Sequence, residues 1–207
     1  MHIEISDSKE KKKEYLDRDI LEKVGEWGKK DQDLRSFIFN SRIIYPIRNI
    51  IKTANLDVSW GIPINDRRDM GPESDIIIFR GKPANEWNGF GAPPVIRIAF
   101  VNIRNIVRII ECKKRVSIDR KNTSLINKQE KLRDRRRKYT SFGIPQNILW
   151  LLSERIDYHR NEEKSRIKNN IINRVGFARF FYLTDEKEGT INYSDWILFL
   201  NEVAQLR

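Results

Sequence analysis

The segment Ile109-Ile110-Glu111-Cys112-Lys113, an apolar run that ends in Glu-x-Lys, constrains this chain more than any other. Side chains of a strand alternate between faces, so Glu111 and Lys113 share one face and Cys112 takes the other. A carboxylate and an ammonium then stand side by side at the end of a β-rich segment. Upstream, Asp75 heads a second apolar run of strand length, Ser74-Asp75-Ile76-Ile77-Ile78-Phe79. If the two strands are neighbours, Asp75 and Glu111 form an all-oxygen site of the kind that holds a hard divalent cation together with several of its waters. Such a cation polarises a phosphoryl oxygen and lowers the pKa of a bound water, and a lysine beside it orients that water or helps to take its proton. The arrangement suits phosphodiester hydrolysis.

These two segments resemble the signature of the PD-(D/E)XK, restriction endonuclease-like nucleases. That signature is an acid, often after a proline, at the start of one strand, then (D/E)-x-K near the end of the next. Here it reads Gly71-Pro72-Glu73-Ser74-Asp75 and Glu111-Cys112-Lys113. Two residues separate Pro72 from Asp75, which leaves Glu73 as a rival or auxiliary acid. The resemblance implies that Asp75 and Glu111 bind Mg2+, with Mn2+ as a substitute, and that Lys113 positions the water. It also implies an αβββαβ core with a mixed central sheet flanked by helices, and a homodimer, since double-strand cutting of the restriction type usually takes two sites. The helix after the catalytic strand lies near the site in that family, which makes Lys128 or Gln129 the position to watch.

The charge balance is consistent with an anionic partner. Lys+Arg number 40 against 29 Asp+Glu, a net charge of +11, spread through folded-looking segments without a basic tail. Nucleic acid, DNA first, is the expected partner, and a basic surface without one is the bland alternative. Cys112 is the single cysteine, which rules out an intrachain disulfide and a Cys-based zinc site and agrees with a reducing cytoplasm. No run of about 18 apolar residues occurs, and residues 1–13 are polar and charged, so neither a membrane span nor a secretory signal is expected.

Along the chain, Leu16, Ile20, Val24 and Trp27 mark an amphipathic helix over 9–30, whose Glu22 or Glu26 is either a further acid or part of a solvated face. A second helix spans 37–53, with Pro46 expected to kink it or to begin a fresh one. Alternating Leu56, Val58, Trp60 and Ile62 predict a strand over 56–64, and a loop with Gly71-Pro72 leads to the strand 74–80. Residues 81–94, with three glycines and three prolines, predict an irregular loop, in which Trp87 either stacks on a base or pins the loop to the core. Strands follow over 95–100 and 105–116. Next comes a helix over 122–139 with Leu125 and Leu132 inside and Lys128, Lys131, Arg133, Arg135, Arg136, Arg137 and Lys138 outside. Glu130 and Asp134 are too few to pair them, so Lys128, Arg133, Arg136 and Arg137 are candidates for phosphate contact. The remainder predicts a buried strand over 147–152, a charged helix over 155–174, a strand over 177–183 and a last helix introduced by Asn192.

One domain of 207 residues is expected, with an N-terminal helical part over 1–53, a catalytic core over 54–155 and a C-terminal β-α extension over 156–207. Other chemistries lack their motifs. His159 has no second histidine or cysteine near it in sequence, and neither a Gly-x-Ser-x-Gly elbow nor a phosphate-binding Gly-x-x-x-x-Gly-Lys loop is present. Asp185-Glu186-Lys187-Glu188-Gly189 reads as a turn, and Cys112 as a core residue. The expected function is a Mg2+-dependent DNA endonuclease of restriction, defence or repair type. A non-cutting nucleic-acid binder with the same core and a basic scaffold protein with an ordinary strand ion pair are the two alternatives.

Overall fold

Four successive side chains, Ile76 to Phe79, are wholly buried, which makes their strand an interior one covered on both faces. The computed structural model describes residues 32–52, 54–88, 97–117, 123–157, 162–185 and 190–206. The helix expected over 9–30 with Glu22 and Glu26, residues 89–94 of the expected loop, His159 and residues 186–189 lie outside them. In chain order the elements are α1 (Gln32–Ile51), β1 (Leu56–Ile64), β2 (Ser74–Arg80), β3 (Asn85–Asn88), β4 (Arg97–Asn102), β5 (Ile106–Ser117), α2 (Thr123–Ser141), β6 (Leu149–Asp157), α3 (Glu162–Asn170), β7 (Arg179–Asp185), β8 (Thr190–Ile191) and α4 (Tyr193–Ala204).

The strands form one mixed sheet in the order β3-β4-β1-β2-β5-β6-β7-β8. β5, β6 and β7 are parallel, as are β1 and β4, and the other neighbours are antiparallel. One face carries Ile76, Ile78, Ile110, Trp150, Leu152 and Phe181 and is covered by Ile43, Ile47 and Ile51 of α1 and by Trp196, Phe199, Leu200 and Val203 of α4. The other carries Ile77, Phe79, Ile109, Leu149 and Leu151 and is covered by Leu132 and Tyr139 of α2 and by Ile167, Ile171 and Val175 of α3 and the turn after it. The odd and even residues of β2 thus feed two separate cores, as strand alternation requires, while β5 changes phase at the irregularity opposite Ile78 and Phe79, so that Ile106 and Ile109 share one core and Val107 and Ile110 the other.

Several elements differ from expectation for visible reasons. α1 runs through Pro46 as one helix rather than beginning again there. The alternation in β1 changes phase at an irregularity between Ser59 and Gly61, after which Gly61, Pro63 and Ile64 are buried. Gly61 is needed at that point: a Cβ would lie 2.6 Å from Ile77 Cδ1 and 2.9 Å from the Ala99 carbonyl oxygen. The expected loop over 81–94 contains β3, antiparallel to β4 and held by Arg97, whose guanidinium meets Glu86 of β3 and Asp57 of β1 at 2.8 and 2.6 Å. The charged helix expected over 155–174 begins only at Glu162, because β6 continues to Asp157. It ends in a wider π turn, Ile171–Val175, closed by Gly176 at φ +92°.

The boundary placed at 155 falls inside β6, and β7 and β8 extend the same sheet. α4 begins where the Asn192 side chain accepts a hydrogen bond from the Asp195 backbone N–H. Asp195 is itself buried and accepts from Lys168 Nζ at 2.7 Å and from the Tyr182 backbone N–H at 3.2 Å, which ties α3, β7 and α4 together. No helix among the described residues is long and apolar enough to cross a membrane.

Candidate active site

Asp75 and Glu111 meet because β2 and β5 are antiparallel neighbours. Ile76 pairs with Ile110, so the next step along the ladder sets Asp75 opposite Glu111, on the face covered by α2. The Asp75 carboxylate is fixed at Oδ2, which accepts a hydrogen bond from the Cys112 backbone N–H at 2.8 Å. Lys113, two residues after Glu111, donates from Nζ to Glu111 Oε1 at 2.6 Å. Cys112 faces the other core and is buried, as expected, and burial pushes its thiol well above the usual range, which leaves it unreactive.

Glu111 is 2 % exposed. Isolating a carboxylate from water to that degree costs several kcal/mol, so its partners have to be charged or strong donors. Two come from α2. Arg135 Nε donates to Glu111 Oε2 at 3.1 Å and the Tyr139 hydroxyl donates to the same oxygen at 3.0 Å. Both side chains also reach the backbone carbonyl of Glu73, Tyr139 at 3.2 Å and Arg135 through Nη2. The guanidinium carbon lies 5.4 Å from the centroid of the Tyr139 ring. α2 therefore clamps β5 to the turn that delivers Asp75.

The electrostatics follow from this packing. Burial works against charge on Glu111, but the cations of Lys113 and Arg135 outweigh it and hold the carboxyl below its ordinary value. Asp75 has no such surplus: burial, and then the charge of Glu111, push it up to about 6. Burial also opposes the Lys113 ammonium, and the charges of Glu111 and Asp75 overcome that and raise it above the usual lysine range. Tyr139 stays neutral, since burial followed by the Glu111 charge drives its hydroxyl well above 10.

Two hard oxygen donors on adjacent strands, one of them reluctant to ionise beside the other, are chemistry that a divalent cation completes. Among the described residues no group of three His, Cys, Asp or Glu side chains is poised to hold a metal. Asp75 and Glu111 are the two carboxylates that could hold an ion of the Mg2+ type, which is bound by one or two carboxylates and takes its other ligands from water and phosphate. Glu73 is exposed and contributes its carbonyl oxygen to the clamp.

The helix after β5 differs from the sequence reading in which cations it turns inward. Arg135, expected on the outer side, points into the site, and neither it nor Tyr139 stood out among so many charges. The heptad spacing of Leu132 and Tyr139 was the available signal, for it marks the buried stripe on which Arg135 lies. Arg133 and Arg136 use Nε to cap the carbonyls of Arg174 and Val175 in the π turn, at 3.3 and 3.1 Å. Arg137 pairs with Asp134 at 3.3 Å on the exposed side. The side chains of Lys128 and Trp87 lie outside the described residues, although Lys128 falls on α2 and Trp87 on β3, opposite Ile98.

No known protein family and no curated protein matches the sequence. Solved structures do. NucC from E. coli MS115-1 in its cAAA-bound form has 11% sequence identity and a TM-score of 0.51, covering 91% of this chain and 87% of that one. NucC from P. aeruginosa ATCC27853, also cAAA-bound, has 12% identity and a TM-score of 0.49, with 90% and 85% covered. The first of these likenesses spans the sheet and its helices together, and at such low identity it speaks for the fold. The chain has the mixed α/β, restriction endonuclease-like fold shared with NucC.

Proposed function

We propose that this protein is a metal-dependent endonuclease that hydrolyses phosphodiester bonds in DNA, with a role in restriction or defence. The observation that carries the reading is the placement of Asp75 opposite Glu111, with Lys113 bonded to Glu111 at 2.6 Å. A strand ion pair with no further purpose has no need of a second, half-buried carboxyl beside it, raised to about 6 by burial and then by the charge of the first. The fold shared with NucC supports the same reading, and the net charge of +11 suits a polyanionic substrate.

A divalent cation, when bound, supplies electrophilic activation of the phosphoryl group and a water of lowered pKa. The chain's own residues set the rest. Asp75 and Glu111 are the carboxylates that would hold the cation, and the Cys112 N–H fixes the orientation of the first. Lys113 is an ammonium held above its ordinary pKa, so its part is to donate: it orients Glu111 and a nearby water rather than removing a proton. Tyr139, neutral, keeps Glu111 Oε2 aimed. An open groove of about 360 Å3 between Met70, Gly71 and Pro72 and the end of α2, at Lys138, Ser141 and Phe142, runs beside the clamp and offers apolar and cationic surface to a strand.

The test is incubation of the purified protein with supercoiled, linear, single-stranded and branched DNA, with and without Mg2+, for wild type, Asp75→Ala and Glu111→Ala. Mg2+-dependent cutting by wild type alone is expected. In parallel, Mg2+ should raise the melting temperature of wild type and not of the two variants, because only the native site binds it. Lys113→Ala should retain most DNA affinity and lose about 100-fold or more in cleavage. Binding without cutting under every condition would replace this reading with that of a non-cutting DNA binder.

A further inference from the structure

Building on that reading of the site, we propose that Arg135 is a phosphate ligand that exchanges partners. When nucleic acid binds, it leaves Glu111 for a phosphate oxygen and thereby couples substrate binding to cation binding. The starting point is a conflict within the clamp. Glu111, one of two carboxylates suited to a dication, already has Lys113 on Oε1 and both Arg135 and Tyr139 on Oε2. A dication approaching Glu111 therefore meets a like charge on either oxygen. Something has to take that charge away, and it has to do so without stranding a carboxylate that is 2 % exposed.

The three partners of Glu111 are not equivalent in this respect. Tyr139 is wholly buried and neutral, and Lys113 sits on the other oxygen, Oε1. Of the two cations on Glu111, Lys113 is 38% exposed and Arg135 27%, against 3% for Glu111 itself, and Arg135 is the one with further contacts to fall back on. Its other contacts are a neutral backbone carbonyl and the face of the Tyr139 ring, across which a guanidinium slides without losing a charged partner. A guanidinium presents its donors in a planar fork that matches two phosphate oxygens, which a lysine ammonium does not. After the exchange, Glu111 retains Lys113 and Tyr139 and gains room on Oε2, and the phosphate gains Arg135. Each event then favours the other.

Such coupling is reciprocal by thermodynamic necessity. Calorimetric titration of the full chain with Ca2+, a hard oxygen-seeking dication, alone and with a saturating short DNA duplex, measures it directly. Wild type should bind Ca2+ more tightly with the duplex present, and the duplex more tightly with Ca2+ present, by the same factor. Arg135→Met keeps the apolar stem and removes the charge. It should bind Ca2+ about tenfold more tightly than wild type without DNA, within the usual span of coupling factors, and should respond less to the duplex. Arg135→Lys, which keeps the charge, should match wild type without DNA, and Arg135→Gln repeats the neutral comparison if the Met variant does not fold. Unchanged or weaker Ca2+ binding by the folded neutral variant, or an undiminished response to the duplex, overturns the exchange. So does a wild type that binds Ca2+ and duplex independently. A wild type that binds neither overturns the reading of the site itself, which is a separate result.

Discussion

The two faces of the central sheet are made by the same strands and solve opposite problems. On the face under α1 and α4, Trp150, Phe181 and Phe199 pack edge to face, with ring centroids 5.3 to 6.2 Å apart, and the charge that Arg108 brings there lies over the Trp150 ring, 5.2 Å from its centroid. On the face under α2, the same β5 delivers Glu111 to a position as deep as most of the isoleucines. The first face is held by area removed from water and the second by a closed set of charges. Apolar packing tolerates many sequences of similar volume, whereas a buried carboxylate tolerates only those that keep its donors in place. The site has therefore been bought with precision in α2, and the other face supplies the stability that lets it exist.

The largest effect that separates the faces should come from Phe181→Ala. It opens a cavity among Trp150 and Phe199 and should cost about 3–5 kcal/mol by chemical denaturation. The fraction that remains folded should still be stabilised by Mg2+ to the wild-type extent. A lost Mg2+ response in folded Phe181→Ala would mean that the faces are not independent.

Next in size is the pH dependence of Asp75. Its carboxyl lies at about 6 in the folded protein against 3.8 in the unfolded chain. The folded state thus holds this proton more tightly, so Asp75 favours folding below about pH 4, and that contribution is lost as pH rises through 6. Asp75→Asn should accordingly be more stable than wild type at pH 8, by on the order of 2 kcal/mol, and the difference should vanish towards pH 4. Glu111, lowered, has the opposite sign: its contribution is present at neutral pH and is lost on acidification. Equal pH profiles for wild type and Asp75→Asn would show that neither burial nor the Glu111 charge shifts the Asp75 carboxyl.

Tyr139→Phe removes the single hydroxyl hydrogen that Glu111 Oε2 and the Glu73 carbonyl share, and should cost about 1–2 kcal/mol with the ring still packed. The smallest effect belongs to the outer side of α2. Arg137→Gln should change stability by no more than about 0.5 kcal/mol, since the side chain is 68% exposed. If Arg137 meets duplex DNA, the slope of log affinity against log salt should shrink by about 0.9. Arg136→Gln should instead lose stability through the uncapped Val175 carbonyl, and a variant with wild-type melting would remove that structural part.

The sequence made the site's strands legible because they are interior. Ile76 to Phe79 and Ile109-Ile110 leave no alternative to burial, and period-two alternation then fixes which neighbours share a face with Glu111. The partners from α2 were hidden for the converse reason. Seven cations crowd residues 128–138, and which of them faces inward depends on a helical phase that only Leu132 and Tyr139 set. β3 escaped notice because four residues on a sheet edge, paired with β4 alone, carry too little pattern to outweigh the surrounding glycines and prolines. The phase change in β1 depends on a close approach of Gly61 to Ile77 and Ala99, a contact between segments distant in sequence.

The position of α4 has a consequence for how the protein comes into being. Asp75, Glu111, Lys113, Arg135 and Tyr139 all precede β6, whereas the cover for Trp150 and Phe181 is supplied by Trp196 and Phe199 near the other end of the chain. On a ribosome adding about 5–20 residues per second, the residues of the site emerge several seconds before the helix that closes the opposite face. A chain interrupted before residue 193 thus carries every residue of the candidate site without the helix that covers Trp150 and Phe181.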